Sequence, residues 1–137
     1  MSYLTRLMCG LILLTVPTIQ FGGYFLLQIL SGRQNALGLT GFQKAMFRAG
    51  HAHAGVLVIL SLVAQLLTDH AALSKELQWL VRIGFPLSAI LVSGGFFGAA
   101  AGHQVQQPTN LIWLLYAGAL LLAISVITLG IGLLRNT

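Results

Sequence analysis

The stretch FRAGHAHAGVLVILSLVAQLL, residues 47–67, decides the fold. After Arg48 it carries two histidines and then an apolar run long enough to enter a bilayer, since a spanning helix needs about 20 mostly apolar residues. Three more stretches meet that length: 7–30, 79–102 and 111–134, with the quoted helix itself drawn as 45–67. The chain therefore reads as all-α, a single four-helix transmembrane domain over residues 1–137. Composition agrees. Of 137 residues, 57% are hydrophobic and 7% charged, with a mean hydropathy of +0.90, far from the roughly 25% charge of a soluble domain. The net charge of +5 comes from seven basic residues spread over the ends of apolar runs. That distribution fits membrane anchors and excludes nucleic acid as a partner.

The first run continues through VPTIQFGGYFLLQIL with no small-residue cleavage site, so it is expected to stay as a helix and not be removed as a signal peptide. Cys9 lies within it and has no second cysteine to pair with. Pro17 and Pro86 should bend the first and third helices, each freeing a carbonyl that a neighbour must satisfy. The connections SGRQNALGLTGFQK, TDHAALSKELQ and HQVQQPTN are polar or glycine-rich loops. Asp69 and Glu76 fall in the second of these, which leaves the spans without a carboxylate and argues against a carrier built on Asp or Glu.

With four alternating helices, the ends of the first and third and the starts of the second and fourth share one membrane face. Gln20, Tyr24, Gln28, Arg48, His51, His53, His103, Asn110 and Trp113 collect there, and His70 lies opposite. His53 sits about 7 Å inward from Arg48, and His103 closes the third helix at a similar depth. His51 and His53 are about 200° apart around a helix, so one of them faces any shared ligand. His51 shares its stripe with Ala54, Gly55, Val58 and Gln65, and His53 with Val56, Leu57, Leu60 and Ala64, a pattern that turns His51 inward. Gln20 is about 15 Å inside its helix and needs a partner. Tyr24, Trp79, Trp113 and Tyr116 fit an aromatic belt. The spacings of Gly94, Gly98 and Gly102 suit tight helix packing. They also suit room for a flat macrocycle whose iron is held by histidines.

The segment GHAHAGVLVILSL, residues 50–62, resembles the second transmembrane helix of haem-copper oxidase subunit I, in which a His-Ala opens an apolar run and the histidine ligates the low-spin haem. Nitric oxide reductases and membrane haem proteins of the NnrS type have similar helix starts. The likeness covers about a dozen of the 137 residues. It implies His53 as the haem ligand, because HAGVLVI from His53 follows the pattern more closely than HAHAGVL from His51, and it implies an extracytoplasmic start for that helix. The copper ligands and second haem ligand of that family lie on later helices, and no His-His pair occurs here, so oxygen reduction is not implied.

The leading expectation is a small haem-binding membrane protein for electron transfer or for haem or gas sensing. Its iron would be held by His53 or His51 with His103, and Arg48 would anchor the helix or pair with a propionate. An accessory or structural subunit of a larger membrane complex is the second, and an oligomeric transporter or channel subunit lined by Gln20, Tyr24 and the histidines is the third. The partners expected are the lipid bilayer and either a homo-oligomer or a larger complex. Arg6, Lys75, Arg82 and Arg135 on the terminal side outnumber Arg33, Lys44 and Arg48, which places both termini in the cytoplasm, in an inner membrane.

Overall fold

The computed structural model describes residues 1–33 and 38–135. They form four helices, α1 (Tyr3–Leu30), α2 (Gly41–Thr68), α3 (Lys75–Ala99) and α4 (Ile112–Leu134), each long and apolar enough to cross a membrane, with no strand among the described residues. Three of them start about one turn earlier than hydropathy alone places them, because each has a polar cap. The Ser2 Oγ accepts from the Thr5 amide, and the Ser74 Oγ from that of Leu77. Thr40 and Gln43 form a reciprocal capping box at the start of α2.

The third helix also ends early, which corrects the expected boundary at 102. Its C-cap is Ala100, and Gly102 takes a positive φ of 128° that only glycine adopts without strain. His103 is consequently an exposed loop residue and does not close α3. The Thr109 amide donates to the Ala99 carbonyl, and the Thr109 hydroxyl to that of Gly98, folding the loop back onto the helix end.

Helix α3 is the centre of the bundle, packed on α2 along one side and α4 along the other, while α1 rests mainly on α2. The α3–α4 seam is close because glycines line it. A Cβ on Gly95 would overlap the Leu115 backbone, and one on Gly118 would lie 2.8 Å from the Val92 amide. Of the expected Gly94, Gly98 and Gly102 series, Gly98 packs closely, since an added Cβ would lie 3.2 Å from that of Leu111, while Gly94 faces open space and Gly102 lies beyond the helix end. Two apolar clusters fill the interior. Ala64, Val81, Phe85 and Leu129 form one, and Leu57, Ala89 and Val92 the other.

Candidate functional site

Helix α2 is buried on two faces, and its two histidines divide between them. His51, half-buried, lies against α1 where glycines leave space for its ring. A Cβ on Gly23 would come 3.0 Å from its Cε1. His53, on the other side, is exposed, with its ring 4.8 Å from that of Phe96 on α3. Its Nδ1 is 2.8 Å from the Ala49 carbonyl oxygen. A carbonyl only accepts, so Nδ1 bears the proton, which in the neutral tautomer puts the lone pair on Nε2. Arg48 is exposed one turn before His51 and His53. The structure thus keeps His51 and His53 apart, as their spacing requires, and leaves His103 on a loop.

Nearby, Gln43 joins the two helix ends that flank these histidines. Its Nε2 donates to the carbonyls of Ala100 and Gly102, both at 2.9 Å. Phe47 and Phe97 pack with centroids 5.7 Å apart, and Gly50 fits against the ring of Phe97 and the Cβ of Phe96. Gln20 and Tyr24 are exposed on the outer side of α1, so they do not line a vestibule within one protomer.

The opposite end of the bundle holds a polar centre that the sequence did not reveal. Arg82 is 2% exposed and forms an ion pair with Asp69, Nη2 to Oδ1 at 2.8 Å. Its Nη1 donates to the Thr5 hydroxyl at 2.8 Å and to Gln65 Oε1 at 3.1 Å. Pro86 stands four residues after Arg82 and has no N–H to give its carbonyl. Gln65 Nε2 fills that role at 2.8 Å, so one glutamine binds both the backbone and the side chain of Arg82. Asp69 in turn accepts from the Thr5 hydroxyl at 2.7 Å and the Ser2 amide at 2.8 Å. Burial pushes the Asp69 carboxyl up, but the Ser2, Thr5 and Arg82 hydrogen bonds outweigh it and hold the group well below the usual carboxylate range.

Asp69, expected only as a residue of the polar loop, thus has a structural role. It caps the end of α2 and neutralises a buried arginine. With Arg82 paired, the basic residues left at the two ends are Arg6, Lys75 and Arg135 against Arg33, Lys44 and Arg48, and the charge margin for orientation disappears.

Between the two polar ends, α1 and α3 do not close on each other, and an apolar cavity of about 300 Å³ remains. Met8, Leu11 and Ile12 of α1 face Pro86, Ala89 and Ile90 of α3 across it, with Ala54 and Val58 of α2 as the floor. The Ser93 Oγ in its wall has no hydrogen-bond partner among the described residues. Among those residues no group of three or more His, Cys, Asp or Glu side chains gathers to hold a metal ion. In comparisons with known proteins, no family model, no curated protein and no solved structure matches the chain.

Proposed function

We propose that this chain is a small haem-binding membrane protein that uses His53 as an iron ligand, for electron transfer or for haem or gas sensing. The single observation that carries this is the Nδ1 hydrogen bond of His53 to Ala49, which fixes the tautomer with Nε2 free, the arrangement in which protein imidazoles bind metals. The flat Phe96 ring beside it and the exposure of the imidazole leave an approach from outside the bundle. His103, seven residues beyond Phe96 on an exposed loop, is the second ligand in this proposal, and Arg48 the partner of a propionate. His51, turned to Gly22 and Gly23, takes no part. When bound, haem supplies a one-electron couple, or a gas-binding position if one axial site is open. The protein's own contribution is the oriented imidazole and the Phe96 ring beside it. The resemblance to haem-copper oxidases also carries the orientation proposed here, with both termini cytoplasmic in an inner membrane.

Visible spectra of the detergent-purified protein, expressed with ample haem and recorded oxidised and dithionite-reduced, test this. A Soret band is expected, lost or shifted in His53→Ala and His103→Ala and kept in His51→Ala and His70→Ala. A folded, colourless wild-type protein overturns it.

Gln20 favours a second reading, an accessory subunit of a larger membrane complex. Its amide is exposed on α1 about 15 Å from the helix end, where lipid offers it no hydrogen bond, and a neighbouring subunit would. Co-purification of partners with the colourless protein, weakened by Gln20→Leu, is the result that distinguishes it.

A further inference from the structure

Beyond the apolar cavity, towards the start of α3, the Arg82–Thr5 hydrogen bond joins α3 to α1, and a second pocket lies on the far side of that contact. On α3, Lys75, Gln78, Trp79 and Arg82 lie three or four residues apart on one face, and with Leu4 of α1 they line that pocket, of about 180 Å³. Pro86 and Ile90, on the wall of the apolar cavity, prolong the same stripe. The two pockets thus line up along one side of the α1–α3 pair, the shallow and deep parts of one groove with the Arg82–Thr5 contact between them. Its shallow part holds an exposed lysine and an interfacial tryptophan. It also holds Arg82, whose Nε has no hydrogen-bond partner among the described residues although the side chain is only 3% exposed. Its deep part, from Arg82 to Ser93, runs about 16 Å, the thickness of one leaflet of a roughly 30 Å hydrocarbon core.

We propose that this groove binds one anionic phospholipid, its phosphate between Lys75 and Arg82 and one acyl chain along Met8, Leu11, Pro86 and Ile90. Charge sets the preference. The pocket lining holds Lys75 and Arg82 and no carboxylate; Arg82 is paired with Asp69, and Lys75 is left for the headgroup to meet. Length sets the rest, because an apolar channel of one leaflet's depth beneath a basic, tryptophan-edged mouth matches a lipid and not a free anion. The site lies at the other end of the bundle from His53 and does not depend on the haem proposal.

Native mass spectrometry of the whole protein, delipidated in detergent and supplied with phosphatidylglycerol or phosphatidylcholine, provides the test. One phosphatidylglycerol per chain should be retained in preference to phosphatidylcholine. Lys75→Ala should cut that retention about fivefold, the effect of one basic residue near an anionic surface. Ile90→Trp should abolish it. Both positions are exposed, and circular dichroism confirms that the variants keep their helices. Equal retention of the two lipids, or unchanged retention in either folded variant, overturns the proposal. Inorganic phosphate that raises the melting temperature as much as phosphatidylglycerol would also overturn it, since the site would then be one for a free anion.

Discussion

Arg82 sits about 10 Å along α3 from Lys75, where an unpaired charge would be costly. It is tolerated because Asp69, Thr5 and Gln65 bind its two terminal nitrogens. Replacing Asp69 by Asn should leave that guanidinium without its counter-charge and cost about 3 kcal/mol. The pH dependence follows from the sign of the shift. The Asp69 carboxyl in the folded protein lies below its unfolded value of about 3.9, so its stabilisation is present above that value and is lost as pH falls toward the folded value. Thermal unfolding in detergent should show a melting temperature steady from pH 7 to 5 and falling toward pH 3, and Asp69→Asn should flatten that fall. A second test uses the carbonyl freed by Pro86. Gln65→Leu should cost about 1–3 kcal/mol by leaving it unsatisfied, and less in a Pro86→Ala background, where an N–H returns to the helix. A double-mutant cycle with no coupling would mean that Gln65 does not serve that carbonyl. The needs of these residues were legible one by one: a glutamine in an apolar run, an arginine four residues before a proline. Their pairing was not, because the partners come from three helices: Gln65 is 17 residues before Arg82 and Thr5 is 77 before it.

At the scale of the helices, capping and glycine contacts set what hydropathy left open. Hydropathy locates the apolar part of a span and is blind to the polar turns that extend it. Ser2, Thr40 and Ser74 each start a helix before the apolar run begins, and each was readable as a capping residue. The end of α3 was not readable, since AAAGH continues a helical pattern until the loop folds back through Thr109. The consequence is that His103 hangs from a loop. Among the glycines, partners decide the outcome. Gly95→Ala and Gly118→Ala should each cost about 1–3 kcal/mol, because the new methyl meets the backbone of the facing helix and cannot be accommodated by a side-chain shift. Gly94→Ala, open on that side, should be neutral or stabilising by up to about 1 kcal/mol through helix propensity. Unfolding in mixed micelles compares the three, and equal losses would contradict the assigned seam.

For the molecule as a whole, α1 is the loosest element. It is held by the Ser2, Thr5, Asp69 and Arg82 contacts at one end and by His51 against Gly22 and Gly23 at the other, with the cavity between. Thr5→Val should free it, and the half-buried Cys9 one turn further on should react several times faster with an apolar maleimide. An unchanged rate would mean that the Thr5 contacts do not restrain α1. The sequence by itself determined the class of the protein and the number of its helices, because burying some twenty apolar residues per segment depends on composition alone. It also determined that His51 and His53 point apart, a matter of helical geometry. Tertiary structure alone decided which faces meet: that α3 is central, that Arg82 is paired and not an anchor, and that α1 leaves an apolar cavity against α3. In a bilayer every span is apolar on all sides, so hydrophobicity does not distinguish the packed faces from the lipid-facing ones. Small residues, caps and long-range hydrogen bonds do, and they act only once the helices are side by side.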